Sequence, residues 1–483
     1  MKPAIPSVHI KKTSIPVEVS KDTGSIRKGL SGRDSLKPGC GMLFVFPRPK
    51  QYRFWMRNMN FPLDIIWIRE GKVVAITEGV KNEFDQSHPF FYKAPQKVDR
   101  VLEVNAGFAK RKGVSVGDPV TYENVGHDFD IVAAKESEKN TWNQFIEKNQ
   151  QIVGAFLETW EWGDFQKSLG LRTRHYFIKE KDEIVAVFIL SFYKLPFGQS
   201  YGYMPRGPVI AKERIAEEVE HFEILKAIQE WAKKELKHLI FLRMEPSLPS
   251  LSEDTAYYGL RKPSYHIQPP RNTIVSLSRT EEEILAHFHS STRSNIKRAE
   301  RRGVTVEIKK EFTEEDYGHF FSMIKSTIKR NHGKKAYPSE QYFRTFLSAN
   351  RIADGIDPNS RPGLSIVIFC GYQHGKPATT HVVIFSGTTA TYLFGASHTE
   401  HLSSKVDTYL HWVAMREAKR LGMRYYDIGG IDEKIWPTLT KFKKQFSDEE
   451  AHYVGNIDVP LKPLLYHAYN VYRKTMKKIH DQA

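Results

Sequence analysis

Cysteine is almost absent from this chain. Cys40 and Cys370 are the only two among 483 residues, and they lie far apart. That excludes a disulfide framework and a cysteine-rich zinc site; each reads as a small buried hydrophobe. Long apolar runs are also missing. The most apolar stretches, Ile184–Leu190 and Leu364–Phe369, have the length of strands and cannot span a bilayer. Met1–Val8 carries no apolar run of signal-peptide length, so a cytoplasmic protein is expected.

What the chain does have is positive charge. Lys and Arg total 72 against 56 Asp and Glu, a formal net charge of +16. Anionic partners follow: nucleic acid, nucleotide-linked substrates or an anionic membrane face. With 40% hydrophobic and 27% charged residues the composition is globular. The length calls for two to four domains rather than one core.

Residues 1–125 read as a β-rich domain, with short strands at Met42–Phe46, Leu63–Ile68 and Lys72–Ile76. Glu70-Gly71 is a tight-turn candidate between the last two. Phe54–Pro62, dense in aromatics and methionine around Arg57 and Asn58, suits either a pocket lining or core packing. The segments Gly29-Leu-Ser-Gly-Arg33, Gly41–Phe46, Phe54–Met59, Pro62–Ile66 and Val101–Gly107 resemble the domain-of-unknown-function family 192. That resemblance implies a small, mostly β accessory domain with no established chemistry.

Residues 126–140 are polar and read as a linker. Beyond it, strands and helices alternate twice, predicting an α+β pair of related modules at 141–265 and 266–455. The chain's centre of interest is Thr292–Val304 in the second module. Ser278–Glu281 offers a capping box and Gly303 a stop, so one helix is expected between them. Leu285, Phe288, Ile296 and Ala299 recur on its apolar face, with Arg293, Lys297 and Arg301 opposite. Such a row can grip a diphosphate or a nucleic-acid backbone, or it can be a solvated face.

Six segments in order resemble the FemAB family: Phe156–Gly163, Tyr203–Pro208, Thr292–Ala299, Tyr392–Ser397, Tyr426–Gly430 and Lys441–Phe446. The resemblance implies two tandem acetyltransferase-like modules, with a last helix over Tyr466–Ile479 in a segment, 456–483, that returns to the first. It further implies transfer of an amino acid from aminoacyl-tRNA to the peptide stem of a peptidoglycan precursor, lipid II or a UDP-MurNAc-pentapeptide. This would take place in the cytoplasm, with peripheral contact at the inner membrane face.

An aminoacyl ester is already activated, so such an enzyme has to position an amine and stabilise an oxyanion, with no metal and no cofactor beyond the tRNA co-substrate. The resemblance assigns the oxyanion to Lys443; the alternative is one solvated turn of Lys441, Lys443 and Lys444. Tyr203, Arg206, Arg243, Glu245, Arg293, Lys297 and Tyr392 are the expected substrate contacts. The position that in relatives holds a phosphate-binding Lys falls on Gln166, with Lys167 beside it. Three other readings stay open. One is an acyl-CoA-dependent transferase, though neither candidate helix is preceded by an Arg/Gln-x-x-Gly-x-Gly/Ala pyrophosphate loop. The second is transfer to another acceptor. The third is a non-catalytic nucleic-acid binder, which should interleave aromatics with the basic row, and Arg293–Arg302 has none.

Overall fold

The computed structural model of the chain describes residues 6–21, 23–123, 125, 129–149, 152–215, 218–248, 259–263, 265–330, 337–348 and 364–482. Three seven-stranded sheets follow one another. The first holds β1 (Ser7–Ile10), β2 (Thr13–Ser20), β3 (Gly41–Lys50), β4 (Leu63–Arg69), β5 (Lys72–Val80), β6 (Val98–Asn105) and β7 (Val120–Glu123), in the order β5-β4-β6-β3-β2-β1-β7. Strand alternation divides its side chains between two cores. Leu43, Ile66 and Leu102 join one; Phe44, Trp67 and Val101 join the other. The β4–β5 hairpin turns at Glu70 and Gly71, both left-handed (φ 51° and 69°), as a two-residue turn requires. The buried Asp64 carboxylate accepts from the backbone N–H groups of Gly79, Gly107 and Ala109, tying the start of β4 to the end of β5 and to the turn after β6.

The second sheet contains β8 (Phe129–Ala133), β9 (Arg172–Glu180), β10 (Glu183–Lys194), β11 (Ser200–Met204), β12 (Val209–Ile210) and β13 (Phe241–Met244). The third contains β14 (Arg271–Ser276), β15 (Val304–Lys309), β16 (Leu364–Gln373), β17 (Lys376–Ser386), β18 (Thr389–Ser397), β19 (Tyr425–Gly430) and β20 (Glu450–His452). The two share one plan. An antiparallel meander (β9-β10-β11, β16-β17-β18) leads through a long helix to a strand parallel to its last member (β13, β19). A further strand then adds antiparallel: β14 on β19, and on β13 the late strand β21 (Ile457–Pro460). The chain thus returns to its second sheet after completing the third. The helix Pro463–Gln482 packs back with it, setting Tyr466 and Tyr469 against Phe241.

One expectation is corrected. Within the supposed linker, residues 126–128 lie outside the described residues, but Phe129–Ala133 pairs with β9 along its length and Glu136–Glu138 is a capped helical turn. Its apolar members Phe129 and Ile131 pack on the second core, which a polar reading of 126–140 overlooked. The two halves of the C-terminal region share a core as well. Phe156, Trp162 and Phe165 from one pack with Phe320, Phe343 and Ile366 from the other. Among the described residues no helix is long and apolar enough to cross a membrane.

A candidate active site where the second and third sheets meet

The turn after β11 folds back on itself because Arg206 adopts a left-handed φ of 55°. This carries its guanidinium inward, where Nη2 donates to Pro269 O at 2.7 Å and the group lies 4.8 Å from the Tyr453 ring centre. Tyr203, at the end of β11, donates its hydroxyl to Glu245, whose other oxygen accepts from the Gln268 backbone N–H at 3.0 Å. All three side chains are buried. Burial lifts the Glu245 carboxyl above its usual range against the opposing pull of Arg206 and Tyr203, and pushes the Tyr203 hydroxyl up strongly. The Arg206 Nε–H is buried and has no partner among the described residues, an unspent donor inside the cluster.

Lys443 lies on the helix Pro437–Lys444, which Pro437 starts at the position where a missing N–H costs nothing. Its neighbours face outward: Lys441 is exposed and Lys444 bridges Glu433 and Glu450 at 2.9 and 2.8 Å. Lys443 instead turns inward and is 7% exposed, with Nζ donating to Gly430 O at 2.8 Å. Glycine is needed beside it. Gly429 has φ 100°, and a Cβ there would stand 3.0 Å from Nζ. Burial lowers the ammonium to about 8, with Asp427 pulling the other way. Asp427 is itself buried and raised. It is held by Asn272 Nδ2 at 3.0 and 3.1 Å and by Gly429 N–H at 2.7 Å.

The two groups are joined through the segment 268–270. Pro269 packs so closely on Gly430 that a Cβ there would sit 2.2 Å from its ring, while its carbonyl holds Arg206. Tyr203, Glu245, Gln268, Pro269, Gly430 and Lys443 therefore form one contiguous path from one sheet to the other.

Other expected contacts are placed differently. Arg243 is wholly buried and its fork is closed on Asp458, both bonds at 2.7 Å, with Tyr466 OH on the same carboxylate at 2.9 Å. Through Asp458 it anchors the returning strand β21, while its Nη1 is buried without a partner among the described residues. The basic helix is two helices, Glu281–His287 capped by Thr280 and Glu283, and Ser290–Arg301 capped by His289. The break at Phe288 frees carbonyls, and Arg293 Nη1 takes up those of Ala286 (3.1 Å) and Phe288. Arg293 thus caps the preceding helix through Nη1 and is half-buried, while Lys297 is exposed. The Tyr392 hydroxyl packs over Gly395, and its ring lies between His381 and His411 at 4.7 and 4.6 Å. Its backbone oxygen, rather than its hydroxyl, approaches Gly429, 3.8 Å from the Cβ position there. Gln166 is half-buried, and Lys167 pairs with Asp164 at 2.9 Å on the surface.

Sequence reasoning missed Asn272, His381, Asp407 and His411. Asn272 reaches Asp427 through the register of β14 on β19, across 155 residues of chain. His381 Nε2 lies 2.8 Å from Asp407 Oδ1, and His411 Nδ1 lies 3.2 Å from Tyr426 OH. One ligand atom from each of His381, Asp407 and His411 falls within 4.8 Å of the others, a spacing open to a metal; His381 is bonded to Asp407 and His411 to Tyr426, and both imidazole rings pack on Tyr392. Burial drives His411 well below the ordinary histidine range, so it is neutral.

Comparison with known proteins gives matches for both parts of the chain. The DUF192 family, described as "Uncharacterized ACR", matches residues 7–122. The FemAB family matches residues 137–257, 255–350 and 371–474. A lipid II:glycine glycyltransferase of Staphylococcus epidermidis is 20% identical over 380 residues, spanning 65% of this chain and 90% of that one. One from Staphylococcus saprophyticus is 21% identical over 388 residues, spanning 67% and 91%. The crystal structure of FemX superposes with a TM-score of 0.57 at 18% identity, covering 71% of this chain and all of that one, a likeness of fold.

Proposed function

The chain belongs to the FemAB family and carries an N-terminal DUF192 domain, and from that premise we propose that this aminoacyltransferase moves an amino acid from aminoacyl-tRNA to the stem-peptide amine of a lipid- or UDP-linked peptidoglycan precursor. The observation that carries the reading is the path joining Tyr203, Glu245 and Arg206 to Lys443 across the segment 268–270. It sets a buried cation beside a buried polar cluster where the two sheets meet.

In this scheme the acceptor amine attacks the ester carbonyl and its oxygen becomes an oxyanion. Lys443 leaves Gly430 O and donates to that oxygen, an interaction gained only as charge develops. The attacking nitrogen's proton passes to the departing ribose oxygen, so atoms and charge balance without a protein base. Glu245, fixed by Tyr203 and Gln268, and the free Arg206 Nε–H orient the acceptor peptide. Lys297, exposed on the basic helix, meets phosphate. The lipid II:glycine glycyltransferases act by name on a lipid-linked acceptor, which favours work at the cytoplasmic membrane face.

The test is a transfer assay with the full chain, charged tRNA pools and both precursor forms, read by mass spectrometry. A mass gain of one or more amino acids that depends on charged tRNA is expected. Transfer from acyl-CoA alone, or none from any tRNA pool, overturns the reading.

A further inference from the structure

The N-terminal domain holds a carboxyl group that nothing in the transfer scheme uses. Glu103 lies on β6, between Met42 of β3 and Ile65 of β4 in the registers of its two neighbours. Alternation along β6 points it to the same face as Val101, into the cluster of Leu30, Phe44, Met59 and Trp67. Glu103 is 6% exposed, and among the described residues its carboxyl meets neither a hydrogen-bond donor nor a cation. A polar group buried in that way costs stability unless something satisfies it.

The same group lines a cavity of about 200 Å³. Phe44, Tyr52 and Phe54 give it aromatic walls, and Arg27, Lys28 and Arg53, all exposed, line it as well. The pocket is therefore dipolar, with one carboxyl on an apolar floor and three cations at the surface. Its volume corresponds to roughly seven water-sized groups, a match for a compact ligand.

We propose that this pocket binds a compact zwitterion, its ammonium on Glu103 among the aromatic rings and its anionic group on Arg27 and Arg53. The aromatic faces attract the cation in the same sense as the carboxylate, and the guanidinium groups match a carboxylate or a phosphate. A free amino acid and an amino-alcohol phosphate share this chemistry. The proposal stands apart from the transfer reaction.

Proton linkage gives the site a second readout. Burial alone pushes the Glu103 carboxyl up to about 8, so at neutral pH it is mostly protonated when empty. An arriving ammonium favours the carboxylate, so uptake releases a proton and affinity rises about tenfold per pH unit up to 8.

The experiment is titration calorimetry of the full chain with four probes: L-alanine, phosphoethanolamine, n-butylamine and butyrate. Saturable uptake of L-alanine or phosphoethanolamine is expected, showing which anionic group is preferred, with butylamine and butyrate about tenfold weaker or worse. Glu103→Gln keeps the shape and should abolish binding and proton release without lowering the melting temperature. Arg53→Ala, at an exposed position where truncation should leave the melting temperature nearly unchanged, should weaken the zwitterion but not butylamine. No saturable uptake of either zwitterion overturns the proposal. So does Glu103→Gln binding as well as the native chain, or butyrate and butylamine binding equally well.

Discussion

Lys443→Met removes the buried ammonium and keeps most of its volume. In the native chain the group falls from an ordinary 10.5 to about 8 because burial at 7% exposure disfavours the charge more than Asp427 favours it. That depression corresponds to ~3 kcal/mol of unfavourable charge burial. The unfolded chain holds this proton more tightly than the folded one. The folded state is thus penalised below pH 8, and the penalty fades as pH climbs toward 10.5. Lys443→Met should therefore leave the protein more stable at pH 7, by up to ~3 kcal/mol, an advantage that vanishes in strong alkali. Its transfer rate should move oppositely. Losing one oxyanion donor costs about 100- to 1,000-fold in kcat. Single-turnover transfer with saturating charged tRNA, beside denaturant melts from pH 6 to 10, measures both. The native rate should fall as pH rises through about 8, whereas Lys443→Arg, charged throughout, should be slow without that alkaline limb. A Met variant that transfers at the native rate, or one that loses stability as well as activity, refutes the reasoning.

Gly429→Ala forces a side chain onto a φ of 100° and to 3.0 Å from Lys443 Nζ; a loss of about 1–3 kcal/mol in melts and slowed transfer are expected. Asp458→Ala strands the buried Arg243 and should cost about 3–5 kcal/mol by denaturant midpoint, while Arg243→Met with Asp458→Leu recovers most of it. Arg293→Ala leaves the Ala286 and Phe288 carbonyls without their donor and should cost ~1–3 kcal/mol. Lys297→Ala should change stability by less than ~0.5 kcal/mol yet weaken binding of the anionic substrates with a shallower salt dependence.

Local patterns were legible where one periodicity or turn decides the structure. The Glu70-Gly71 hairpin and the α+β alternation both follow from short-range rules. The basic helix was misread because helical spacing continues through Phe288: that residue is buried at the break just as it would be within a helix. Once the helix breaks, Arg293 has carbonyls to cap, and nothing in its own surroundings in sequence announces that. The Arg243–Asp458 pair is hidden similarly, since Asp458 lies 215 residues away on a strand whose return to the second sheet only the three-dimensional structure reveals. Asn272 and the His381–Asp407 pair depend on strand register in the same way. Only the resemblance singles out Lys443 in the sequence, and its inward turn between two outward lysines is not readable from three cations in four residues.

In the proposed reaction the carbonyl oxygen under attack comes to Lys443 where the two sheets meet. A crystal structure of the full chain with a phosphonate analogue of the tetrahedral intermediate tests it directly. The phosphonyl oxygen should lie about 2.8 Å from Lys443 Nζ, with the bond to Gly430 O broken and the acceptor peptide against Glu245 and Arg206. A phosphonate bound elsewhere, with Lys443 still on Gly430 O, contradicts the account.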